Sequence, residues 1–211
     1  MPRTPDWHTG LHEPLGLLLL ATGALVASGV GAFDRMTWML EVFPVIIGVP
    51  LLAFTWHRFP LTPLVYRLLF LHALILMLGG HYTYARVPLG HWLEELLGLA
   101  RNPYDRLGHL AQGFVPAMLT REILLRCSPL RRGKWLFFLV VCVCLAVSAF
   151  YELIEWWVAL AQGSAATDFL GTQGDVWDTQ WDMFLALIGA LLAQALLARV
   201  HDRALARLAG R

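Results

Sequence analysis

Asp175, Asp178 and Asp182 lie in TQGDVWDTQWDMFLALIGALLAQALL, residues 172–197, at the mouth of a long apolar run. Their i, i+3, i+7 spacing stacks them on one helical face, and no Lys or Arg falls between Asp168 and Arg199 to neutralise them. Asp105 and His109 in NPYDRLGHLAQGF repeat the theme at i, i+4, with Gln112 and Pro116 continuing the stripe. Glu152 and Glu155 in SAFYELIEWW share another face, and His81 in LGGHYTY adds a second imidazole. Imidazole nitrogens beside carboxylate oxygens suit two chemistries. One is a divalent metal ion that polarises an oxygen or generates hydroxide. Its ligands would be His81, His109, Asp178 and Asp182, with Glu152 or Glu155 as general base. The other is metal-free acid–base work by His109 oriented by Asp105. No Ser or Cys sits in a nucleophile motif, which disfavours covalent catalysis.

The elements that must position these groups are membrane spans. The chain has 211 residues, 58% hydrophobic and 15% charged, with mean hydropathy +0.59. Soluble domains carry about 25% charged residues, and several apolar runs here have the length that crosses a bilayer. Six spans are expected, at about 14–33, 38–56, 64–84, 104–125, 135–160 and 175–198, in a single integral membrane domain over 1–211. Pro44 and Pro50 are expected kinks in the second span. VPLGHWLEELLGLARNP, between the third and fourth, is amphipathic and too polar to cross, so it should form a short interfacial helix. AQGSAATDFLGTQG reads as an irregular loop. The first apolar run reads as a retained span rather than a cleaved signal peptide. The three cysteines form no paired or CxxC pattern, so neither a disulfide framework nor a thiolate metal site is indicated.

Positive charge orients the bundle. With six spans, twelve of the sixteen Lys and Arg fall on the side of both termini, so both termini should be cytoplasmic. Eleven of the fifteen acidic residues then fall on the outer side. Four helices bring carboxylates or imidazoles to a similar depth there, with Glu41 opening the second span. Such groups repel one another unless a bound metal, protons or pairing with Arg86, Arg101 or Arg106 neutralises them, and in a span they usually face the bundle interior. The basic run RCSPLRRGK is the positive-inside signal and not a nucleic-acid patch. His72, alone in mid-span, reads as packing. Gly79, Gly80 and Gly189 read as points of close helix approach.

At these same residues the chain resembles a known family. GHYTYARVPLG, NPYDRLGHLAQGF, AFYELIEWW and DFLGTQGDVWDTQWDM, in that order, are similar to the YjdF-type family of bacterial inner-membrane proteins. The likeness covers nearly the whole chain. It implies a multi-pass membrane topology and the same choice of residues, but no reaction. A fainter likeness reaches the VanZ-like membrane proteins, associated with glycopeptide resistance. Asp105, Arg106 and His109 match that pattern's first element, Glu152 or Glu155 its second, and Asp178 or Asp182 with Gly189 its third. The Asn that commonly follows the last Asp is missing here.

Three functions fit these readings. The leading one is a membrane-embedded enzyme, metal-dependent in one form, acting on a lipid or lipid-linked envelope substrate at the outer leaflet. The second is a small transporter of ions, protons or solutes. Against it, no chain of polar groups is expected to continue towards the cytoplasm, and no internal repeat is visible. The third is an accessory or structural membrane protein with an acidic outer face. The bilayer is the one certain partner, and no protein partner is specified.

Overall fold

The computed structural model describes residues 12–162 and 172–210. Over those residues the chain is all-α: α1 (His12–Gly29), α2 (Arg35–Thr55), α3 (Pro63–Tyr82), a 3-10 turn (Tyr84–Arg86), α4 (Pro88–Leu97), α5 (Tyr104–Cys127), α6 (Lys134–Gln162) and α7 (Asp178–Ala209). Much of the loop expected to be irregular, residues 163–171, lies outside the described residues.

Local chemistry sets the helix ends. Asp34 caps α2, accepting from the Thr37 backbone N–H at 2.7 Å, and those hydrogen bonds hold its carboxyl below the ordinary aspartate range. Pro63 and Pro88 open α3 and α4, where a missing N–H costs nothing. Gly98, at φ +62°, closes α4 in the left-handed conformation that glycine adopts without penalty. α2 keeps Pro44 and Pro50 in its interior, and α5 keeps Pro116.

Among the described residues, four helices are long and apolar enough to cross a membrane: Arg35–Thr55, Pro63–Tyr82, Lys134–Ala161 and Asp178–Ala209. α1 and α5 fall outside that set. α7 extends beyond its expected end at 198 to Ala209, and its 32 residues span about 48 Å, well over the roughly 30 Å of a hydrocarbon core. Leu19, Val26, Phe43, Phe54, Leu71, Phe138 and Leu196 stand exposed on the helix surfaces. Such a shell is a liability in water and the normal contact surface in lipid.

α5 is the least apolar long helix and occupies the centre, against α3, α6 and α7. Burial suits it because its polar side chains would be costly against lipid. Its most extensive partner is α7. Glycine makes that approach possible: a Cβ at Gly113 would overlap the Ala186 carbonyl, and one at Gly189 would overlap the Leu110 carbonyl. The expected role of Gly189 is therefore met. α1, α2 and α3 pack on one another to form the other half of the molecule, joined to the α5–α6–α7 half through α3 and α5.

Candidate functional site

The loop before α5 and the segment before α7 are clasped together. Asn102 N–H donates to Gln173 Oε1 at 3.0 Å, and Gln173 Nε2 donates back to the Asn102 carbonyl at 3.0 Å. Asn102 Nδ2 also donates to the Val87 carbonyl, and its Oδ1 accepts from Tyr104 N–H, both at 3.0 Å. A side chain at Gly90 would collide with Asn102. This clasp sets the register in which α5 and α7 start, and so which of their acidic groups meet.

Of the three aspartates expected to open the last span, Asp175 precedes α7, which begins at Asp178 rather than at 175, and all three have different surroundings. Asp175 accepts from Arg106 Nη2 at 2.9 Å, and Arg101 Nη1 stands 3.6 Å away. Asp178 is paired directly with Arg101, which also reaches Asp105 at 3.5 Å and donates to the Thr172 carbonyl at 3.1 Å. Asp182 faces inwards. Its Oδ2 lies 3.8 Å from His109 Nε2, and its Oδ1 is buried without a hydrogen-bond partner.

His109 is the hub. Nε2 is 3.5 Å from Asp105 Oδ1, and Nδ1 is 4.0 Å from Glu152 Oε1. His109 Nδ1 and Glu152 Oε1 are likewise buried without a hydrogen-bond partner. Asp105, His109, Glu152 and Asp182 are each no more than 8% exposed. Two ligand-capable trios share the imidazole, Asp105–His109–Asp182 and His109–Glu152–Glu155, each with its ligand atoms within 4.8 Å of one another. A cavity of about 130 Å³ opens beside them, lined by Glu41, Tyr84, Asp105, His109, Tyr151 and Glu155 among others.

Tyr84 is aimed into that cavity by an unusual backbone. Thr83 takes φ +60°, a conformation a β-branched residue rarely adopts. The turn it makes lays the Tyr84 ring against Gly79 and Gly108, where any Cβ would overlap the ring. Gly79 is thus needed for close approach, though to a ring rather than to a helix.

The structure brings together Asp105, His109, Glu152, Glu155 and Asp182 among the expected site residues. Asp178 sits beside them, held by Arg101. His81 stands apart: its Nδ1 is 2.8 Å from the Ser28 carbonyl, and it belongs to neither trio. Sequence reasoning placed Glu41 on this side without giving it a role. It missed Tyr84 and Tyr151, for which sequence spacing offered no signal.

A second buried network occupies the opposite end of α5, where no polar chain was expected. Glu122, 0% exposed, accepts from the Thr62 N–H at 2.9 Å and hydroxyl at 2.7 Å, from Arg126 at 2.8 Å and from His201 Nε2 at 2.9 Å. Arg121 donates to His201 Nδ1 at 2.9 Å and to Asp202 at 2.7 Å. Because Arg only donates, His201 must carry its proton on Nε2. Each of these interactions is made to protein, so the network reads as a clamp tying α7 to α5 and to the start of α3.

Known proteins converge on the same chain. A family model described as "Predicted membrane protein (DUF2238)" matches residues 14–203. The chain is 60% identical over 189 residues to the inner membrane protein YjdF of Escherichia coli (strain K12), covering 90% of each. These matches do not extend to the VanZ-like proteins. No solved structure matches. Over nearly all its length, with its helices apolar enough for a bilayer, the chain is a multi-pass membrane protein of the DUF2238 family.

Proposed function

We propose that this protein is a metal-dependent hydrolytic enzyme of the bacterial inner membrane, with its site near the outer leaflet and a lipid or lipid-linked substrate. The carrying observation is the spacing around His109: carboxylate oxygens at 3.5 and 3.8 Å from Nε2. These gaps are long for hydrogen bonds. They suit donors that share an ion, since two ligand atoms about 2.1 Å from a tetrahedral metal stand about 3.4 Å apart.

In this reading Asp105, His109 and Asp182 are the ligands, leaving a coordination position for water or substrate, as catalytic sites do. Two carboxylates balance a divalent charge. Glu152 faces the other ring nitrogen, where an outer carboxylate orients a ligating imidazole. Arg101 holds Asp105 and Asp178 in place. The ion would acidify a water and polarise a phosphoryl or carbonyl oxygen. Glu155 lines the cavity and is placed to take the proton of the attacking water and return it to the leaving oxygen. Tyr84 and Tyr151 border the same space, the Tyr151 hydroxyl donating to the Leu40 carbonyl at 3.2 Å.

The topology that goes with this site is six spans, α1, α2, α3, α5, α6 and α7, with both termini cytoplasmic. It places His109 on the outer side and Glu122 on the inner side, and α4 along the outer interface with Leu89, Trp92 and Leu96 exposed. Transport is less well supported. Between His109 and Glu122, Gly113 of α5 packs against Ala186 of α7, and Ala117, Ala186 and Ala190 are all fully buried.

The test is enzymatic. Purified protein in detergent, supplied with zinc or manganese and a total bacterial lipid extract, is followed by lipid mass spectrometry. A lipid species consumed by wild type but not by Glu155→Gln supports the reading. Identical lipid profiles, with both proteins folded and metal-loaded, count against it.

A further inference from the structure

The polar cavity does not end at the acidic cluster. Pro44, His72 and Leu76 line it and also line a second chamber, of about 320 Å³, bordered by α1, α2 and α3. That chamber is walled by Leu17, Gly48, Leu52, Trp56, Leu69 and Ala73 among others, nearly all apolar. Its volume falls in the range of ligand pockets, about 300–1,000 Å³. From Leu76 to Tyr66 its α3 wall is ten residues long, about 15 Å. The two spaces therefore adjoin along Pro44, His72 and Leu76, one polar and the other apolar.

Two features suggest that the chamber is shaped for an occupant. Gly48 leaves its α2 wall open: a Cβ there would meet nothing within 4 Å. At the junction, His72 presents a buried Nε2 with no hydrogen-bond partner. A polar atom left this way is costly, and here it sits where the polar and apolar spaces meet.

We propose that the chamber receives the hydrocarbon chain of an amphiphile whose polar group occupies the His109 cavity, with His72 hydrogen-bonding an oxygen of the linkage between them. As a statement about the substrate, this rests on the enzymatic reading above. As a statement about binding, it stands alone. A chain gains little by leaving lipid for protein, because both are apolar. What the chamber supplies is position: a chain lying along α3 holds the linkage at His72 and the polar group beside Glu155.

The probe is a lysophosphatidylglycerol with a diazirine near the end of its acyl chain, photolysed with the full-length protein in nanodiscs and mapped by mass spectrometry. In wild type, labels should concentrate on Leu52, Trp56 and Leu69. Gly48→Phe, whose ring fills the chamber from an open position, should cut that labelling at least tenfold and leave labelling of the lipid-facing Phe54 and Leu71 unchanged. Ala73→Phe provides a second obstruction should Gly48→Phe fail to purify as a folded protein. Chamber labelling no greater than at Phe54 and Leu71, or undiminished in the obstructed variants, would overturn the proposal. Metal content separates the two ideas. Wild type that binds metal without chamber labelling loses only the chain site, whereas chamber labelling without metal loses only the enzymatic reading.

Discussion

His109 Nε2 and Asp182 Oδ2 face each other at 3.8 Å across the seam between α5 and α7. That separation depends on how closely the two backbones approach, and Gly113 and Gly189 set the approach. Gly189→Ala places a methyl group against the Leu110 carbonyl and must push the helices apart. Overpacking of this kind costs about 1–3 kcal/mol. The variant should melt several degrees lower in detergent and bind metal at least tenfold more weakly. Gly23→Ala, inside α1 where a Cβ meets nothing within 4 Å, should leave metal binding unchanged and should not lower the melting temperature, since Ala favours a helix over Gly.

The clamp at the other end of α5 bears on stability and not on the proposed chemistry. Glu122→Ala strips an acceptor from Thr62, Arg126 and His201 at once. Removing one partner of a buried charge network costs about 3–5 kcal/mol, so thermal unfolding should shift strongly. Thr62→Val removes one hydroxyl donor and should cost about 1 kcal/mol. Metal binding by whatever fraction folds should match wild type.

Arg101 links three aspartates, Asp105, Asp175 and Asp178. Arg101→Gln leaves their charges facing one another and should lower both melting temperature and metal affinity. Arg101→Lys should recover only part of the loss, since an ammonium cannot reproduce the planar fork that spans several carboxylates. Full recovery by Lys would show that Arg101 supplies only charge.

Much of this architecture was legible because its signals are local. Apolar runs locate the helices, and the i, i+4 pair Asp105–His109 and the turn-spaced Glu152–Glu155 identify the faces that converge. What sequence could not supply was the pairing across helices. Asp178 and Asp182 read alike as candidate ligands, yet Arg101 takes the first and His109 the second, while Arg106 takes Asp175. His81 carries the same chemistry as His109 but meets the Ser28 carbonyl. His201 lies beyond the expected end of the last span at 198, and only the continuation of α7 to Ala209 carries it to Glu122. His72 reads as packing, and only its place in the linings of two adjacent cavities gives its ring a place of interest.

The six-span topology makes its own prediction. A reporter active only in the cytoplasm should work when fused after Arg211, and one active only outside should work when inserted between Ala165 and Thr172. The opposite pattern would put His109 on the cytoplasmic side and remove the outer-leaflet assignment.

Metal removal probes the fold as well as the site. A ligand that binds only the folded state stabilises it by about 2.7 kcal/mol at a hundred times its Kd. Chelation should therefore lower the melting temperature of wild type, and added zinc or manganese should restore it. The Asp182→Asn, His109→Gln double variant should respond to neither.

The most direct measurement is the metal content of detergent-purified wild type beside that double variant, by elemental mass spectrometry after equilibration with divalent ions and desalting. The account predicts about one ion per chain in wild type, on the order of a typical three-ligand site, and less than a tenth of that in a folded variant. A folded wild type that retains no ion, or a variant that retains as much as wild type, would contradict it.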